Sequence, residues 1–346
     1  MAAYTTIDDP ELFYQTELFT GNASTGHAQT LDGSEDMQPD MVWFKNRDST
    51  DVPSIYDAVR GATKRLVVTS TAVESDQVNG LQSFNSDGFT VGGNAECNET
   101  GEKIVAWCWK AGTTSGLSGG TITPDAYSFN ATSGFSIVKF EGNGTVGATV
   151  AHGLGAVPKA IIIKGTDLYA NNWQVYHVGA GNLGNLVLNN DDAFADDDSR
   201  WNDTTPTSTV WTMGSGATVN YNGRTFVAYL FSDIQGFSKF GTYVGNGNAD
   251  GPFVYTGFRP AFVMVKRSNS TGSWGMRDNK REAYNNGQDF LLADTTNADQ
   301  TSATIDFLSN GFKLRHNGSE ENTSGRTHAY IAFAEAPFVN SNGVPC

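Results

Sequence analysis

One stretch concentrates the residues that could hold a ligand. Between Asn189 and Asp203 lie Asp191, Asp192, Asp196, Asp197, Asp198 and Asp203. Their carboxylates are hard oxygen donors, the kind calcium gathers around itself. The stretch lacks the glycine and glutamate spacing of an EF-hand, and charge runs are ordinarily solvated surface. Two expectations therefore stand side by side, a calcium site and a solvated acidic loop. Among these acids, Arg200 and Trp201 are the residues expected to contact a ligand, with the indole as an exposed platform for a sugar ring.

Other motifs do not support the chemistry they suggest. GNGTVG, Gly142 to Gly147, has the spacing of a dinucleotide fingerprint, with Asp167 where a ribose-binding acid would stand. Such a loop must open a helix whose N-terminus holds pyrophosphate. Here ATVAHGLGAVP follows, too rich in glycine and proline to be that helix. His27, His152, His177, His316 and His328 show no metal-ligand spacing, and there is no GxSxG elbow. Cys97, Cys108 and Cys346 form neither a disulfide framework nor a zinc pattern, so free thiols are expected. Neither a catalytic residue nor a cofactor is expected, apart from the calcium that the acidic loop leaves open. The chain reads as a non-enzyme.

The elements that must position these residues recur three times. GEKIVAWCWK (Gly101 to Lys110) aligns without a gap to GRTFVAYLFS (Gly223 to Ser232) and to GRTHAYIAFA (Gly325 to Ala334). Upstream of each lies an apolar strand that follows proline and ends on lysine: Pro39 to Lys45, Pro158 to Lys164 and Pro260 to Lys266. The lysine-to-glycine intervals are 56, 59 and 59 residues. Recurring residues are explained by architecture, so only unrepeated ones remain candidates for chemistry. Lys45, Lys164 and Lys266 are accordingly expected to protect sheet edges or to pair with turns. Trp107 and Trp109 align with Tyr229 and Phe231 and read as core.

Within a repeat the apolar period is two, as in FSIVKFEG and GFKLRHNG, while AIIIK and FVMVK are apolar on both faces. Asn-Gly pairs beginning at Asn79, Asn143, Asn222, Asn246 and Asn310 supply the positive φ angles of tight hairpins. The expected fold is all-β: three tandem antiparallel β-sandwich repeats, jelly-roll or lectin-like, of about 100 residues each. An N-terminal arm covers 1–13, the repeats 14–112, 135–234 and 235–337, a Gly/Ser/Thr-rich linker 113–134 and a tail 338–346. The linker would let the first repeat stand apart while the other two pack together. The one helix candidate, YDAVRGATKRL, is interrupted by Gly61.

The formal charge is −15, from 37 acids against 22 bases. That sign is opposite to a nucleic-acid footprint. No apolar run approaches the roughly 20 residues that span a bilayer, so neither nucleic acid nor membrane insertion is expected. The opening segment lacks a basic n-region and carries Asp8, Asp9 and Glu11, so it does not read as a signal peptide.

Three phrases carry a family resemblance: YTTIDDPELFYQTELFTGN at the start, GSEDMQPDMVWFKNRD with LQSFNSDGFTVG and VAWCWKAG inside, and YTGFRPAFVMVKR with AFAEAPFVNSNGVP towards the end. With them the chain resembles repeat-bearing virion structural proteins, tail-fibre or appendage-like, of tailed bacteriophages, chiefly marine and cyanobacterial phages. The resemblance implies an exposed virion component, assembled in the host cytoplasm and released by lysis. Its partners would be other virion proteins, copies of itself in a homo-oligomer, and a host-surface glycan or protein. A head-decoration or cementing protein is the alternative, and a glycan-degrading depolymerase a second one.

Overall fold

The computed structural model describes residues 6–339 other than 168–169, 282–284, 286–288, 303 and 318–320. Cys346 and residues 340–346 of the expected tail lie outside the described residues, as do residues 1–5 of the expected arm. The chain is all-β, built on three large antiparallel sheets with one shared strand order. In the first sheet the order is Tyr14–Thr20, Lys103–Trp109, Met41–Asn46, Ser54–Asp57, Gly61–Val67 and Ser75–Asp76. The third sheet repeats it with Ser238–Val244, Thr327–Pro337, Phe258–Arg267, Trp274–Asp278, Asp289–Leu292 and Gln300–Thr301. The second follows the same plan from Phe135–Glu141 onwards and adds Ala126–Asn130 at its edge.

The central strands are apolar on both faces because both faces are covered. Along Lys103–Trp109, Val105, Trp107 and Trp109 point into one cluster, and Ile104, Ala106 and Cys108 into another. The second group packs under a small three-stranded sheet, His27–Gln29 with Gly88–Val91 and Leu81–Asn85, which completes a sandwich. Ala148–Ala151 with Val210–Met213 covers the second large sheet in the same way. Phe253–Tyr255, Gly311–Leu314 and Ile305–Leu308 cover the third. The inward faces of all three large sheets then meet in one apolar core. Trp107 and Trp109, Tyr229 and Phe231, and Ile331 and Phe333 line it together. At its middle remains a void of about 20 Å³, close to the volume a single water requires.

This shared core corrects the expectation that the first repeat stands apart. Residues 126–130, inside the stretch read as a linker, form a strand of the second sheet, and Thr113 bridges to Phe129. The described part of the arm packs against the body. Ile7 is buried in the common core, and Pro10–Leu12 forms a 3-10 turn capped by the Asp9 side chain. The helix candidate is a hairpin instead: Ser54–Asp57 pairs with Gly61–Val67, and Gly61 turns the chain at φ +111. Only glycine reaches that angle at low cost. Cys97 and Cys108 are buried free thiols.

Candidate functional site

The acidic loop is organised around its own backbone. Asp197 caps the single turn Asp198–Trp201, its Oδ1 accepting from the Ser199 amide, and Asp197 pairs with Arg200 at 3.0 Å. Asp192 accepts from the side chain of Asn190, and Asp196 lies in the short strand Ala195–Asp196. The Asp191 carbonyl accepts from Gly272, and Asp203 follows the left-handed Asn202. Among the described residues no three His, Cys, Asp or Glu side chains converge as metal ligands.

Trp201 corrects the sequence reading most sharply. Its indole is 1% exposed and packs edge-on against Tyr176 in the core of the second sandwich. A one-turn helix folds it inward, so it offers no platform to a sugar, and Arg200 beside it is held in the Asp197 ion pair.

The polar groups that the fold does bring together lie at the three junctions between sheets. Each junction is made the same way, and together they close a ring. The Glu74 amide of the first repeat donates to Thr166 of the second, Phe194 of the second to Ser268 of the third, and Asp299 of the third to Arg47 of the first. Deeper in, Tyr229 Oη donates to Asp57 Oδ2 at 2.6 Å, and Trp107 Nε1 to Asp278 Oδ2 at 3.0 Å. Both carboxylates are fully buried and held by the arginine three residues on, Arg60 at 2.5 Å and Arg281 at 2.6 Å. A buried charge left unpaired would be strongly destabilising, and these pairs are arranged to avoid that.

The third member of the ring uses histidine. Ile331 stands where the other repeats have Trp107 and Tyr229, so it has no donor to offer. His177 occupies the acid's place, and its Nε2 lies 3.0 Å from the Tyr330 carbonyl. Nδ1 accepts from the Gly179 amide, so the ring is neutral with its proton on Nε2. Burial, against the opposing pull of that carbonyl, lowers its pKa to about 4 and keeps it so at neutral pH.

Lys45, Lys164 and Lys266 are also placed differently from expectation. Each lies on a central strand, not an edge, and each is 1% exposed or less. Lys164 Nζ donates to the Asn171 carbonyl and Lys266 Nζ to that of Gly272; Lys45 Nζ reaches Asp51 at 3.0 Å. The turn-pairing part of the expectation matches, and the edge part does not. Lys164 and Lys266 also lie 6.0 and 5.8 Å from the ring centres of Trp173 and Trp274. Burial lowers the pKa of Lys45 and Lys164 to about 8.

Two recurring signals escaped the sequence reading. Asp-x-x-Arg occurs at Asp57–Arg60 and Asp278–Arg281, both at junctions. Asn-x-x-Gly precedes each aligned strand, and its asparagines Asn98, Asn220 and Asn322 are 0% exposed. Each accepts at 2.9 Å from a turn amide about 76 residues earlier, those of Asn22, Asn143 and Asn246. Each also donates to a carbonyl six residues before it.

Fold and junctions together define an all-β protein of sandwiches closed on a common apolar core. A family model described as a domain of unknown function, DUF7483, matches residues 9–337, and the chain belongs to that family. No curated protein and no solved structure matches it.

Proposed function

We propose that this chain is a non-enzymatic structural protein of a tailed-bacteriophage virion, an exposed tail-fibre or appendage component that takes part in host-surface attachment. The observation that carries the reading is the cyclic closure of the three sheets, in which each repeat donates a backbone amide to the next. Heterologous contacts that close on themselves give a ring, here within one chain. Such a body presents related faces three times and suits a place on a threefold axis, as in a trimeric fibre. The formal charge of −15 favours solubility and resists nonspecific adhesion. The resemblance of its opening and closing phrases to virion proteins supports the same assignment.

Immunogold electron microscopy of intact virions, with antibody raised against the purified chain, tests it. Label on the tail or its fibres is expected. Label on the head would replace the appendage assignment with head decoration. Absence of label from both intact and opened particles would remove the virion assignment altogether.

A further inference from the structure

The third repeat contains a pocket of about 530 Å³, within the range of small-ligand sites. It is lined by Asp233, Gln235 and Lys239, at and just after the boundary with the second repeat, and by Tyr255, Thr256 and Gly257. The first repeat has the same place, already filled. Its strand Tyr14–Thr20 pairs Tyr14 with Trp109 as Ser238 pairs with Phe333, so Asp9, Glu11 and Gln15 correspond to Asp233, Gln235 and Lys239. There Ser34 Oγ donates to Asp9 Oδ2 at 2.6 Å, the Ser34 amide to Glu11 Oε2 at 2.7 Å, and the Gly33 amide to Gln15 Oε1 at 3.0 Å. The chain supplies its own hydroxyl and amide donors to these side chains.

Loop length separates the two cases. From Gln29, paired with Phe89, to Pro39 is 10 residues; from Val254, paired with Phe312, to Pro260 is only 6. The third repeat lacks the residues that would fold back, and its pocket stays open. The second repeat closes the place differently. Asn130, in the position of Asp9, binds Thr132, Ser133 and Ala111, and the Phe129 ring lies against Gly153.

We propose that the open pocket of the third repeat binds a pyranose of a surface glycan, with Tyr255 beneath the sugar ring and Asp233 and Gln235 on its hydroxyls. Tyr255 is 46% exposed on the pocket wall, so its ring is a platform rather than core. Asp233 accepts from Lys239 Nζ and from the Phe240 amide, one bond to each oxygen. Each oxygen keeps a lone pair for a hydroxyl, the donor that Ser34 supplies to Asp9 in the first repeat. An aromatic face beside hydroxyl acceptors favours a sugar over a peptide loop, which would use the acceptors and leave the ring unpaired.

This inference deepens the attachment reading and rests on it for its biological meaning, but its test does not. Saturation-transfer difference NMR on the whole chain, with the methyl pyranosides of glucose, galactose and mannose as probes, reads binding directly. At least one probe is expected to show transfer to its ring protons. Tyr255→Ala is expected to cut the transfer tenfold or more, as is Gln235→Ala to a lesser degree. Phe253→Ala, exposed on the same strand but outside the pocket, should leave it unchanged. No transfer to any of the three probes, or equal loss in Tyr255→Ala and Phe253→Ala, would overturn the proposal. Transfer from a chain that no antibody detects on virions would sink the virion assignment and leave the pocket standing.

Discussion

Phe333→Ala distinguishes one shared core from three separate ones by the size of a melting shift. The ring is 2% exposed and lies 5.4 Å from Tyr14, 5.7 Å from Trp109 and 5.7 Å from Phe231, residues of the first and second repeats. Truncating a buried phenylalanine costs about 3–5 kcal/mol. Unfolding entropy is about 2.1 cal/mol/K per residue, so a 346-residue cooperative unit carries about 0.7 kcal/mol/K. If the whole chain melts together, Tm falls by about 4–7 °C in a single transition. If the third repeat melted alone, its roughly 100 residues would carry about 0.2 kcal/mol/K, and that part would fall by about 14–24 °C. Differential scanning calorimetry reads both the shift and the number of transitions. A split endotherm, with one component dropping by the larger amount and the rest unmoved, would refute the shared core.

Two further changes probe the junctions and the buried cations. Tyr229→Phe keeps the ring but removes the 2.6 Å hydrogen bond to the buried Asp57; a bond to a charged group contributes about 1.5–3 kcal/mol, so Tm should drop by about 2–4 °C in the same scan. Lys164 is deprotonated more easily folded than unfolded, with its pKa lowered from 10.5 to about 8 by burial. The unfolded state then binds more protons between these values, so stability rises as pH climbs from about 8 to 10.5. Lys164→Met should flatten that rise by no more than about 3 kcal/mol in urea titrations at pH 7.5 and 10; an unchanged slope would show that the ammonium is not desolvated.

The β class was readable because its cause is local. Alternation with period two and Asn-Gly turns act within a few residues, and strands such as AIIIK are apolar on both faces because sheets cover both. Much of what could not be read lies between strands distant in sequence. Lys164 looks like an edge guard after three isoleucines, and only the pairing of its strand on both sides shows it to be buried beside Trp173. Trp201 sits amid aspartates, and charge predicts exposure; the capped turn from Asp197 rotates the indole inward. The stretch 113–134 looked like a linker because of its glycines, yet Ala126–Asn130 within it forms an edge strand in a local hairpin, its partners five to thirteen residues on. The open pocket beside Asp233 depends on four missing residues in a loop more than twenty positions away, a difference visible only once strand register aligns the repeats.

The shared core is tested most directly by isolating residues 14–112 and recording their amide proton–nitrogen NMR spectrum. Alone, this fragment would expose Tyr14, Trp43, Trp107 and Trp109, all of which the full chain buries against the other two sheets. Asp278, the acceptor for the Trp107 indole, would be absent as well. The expected spectrum is collapsed, with narrow amide dispersion or aggregation, and regains dispersion only in the full chain. A well-dispersed, cooperative fragment would mean that the first repeat folds by itself, and would contradict the account.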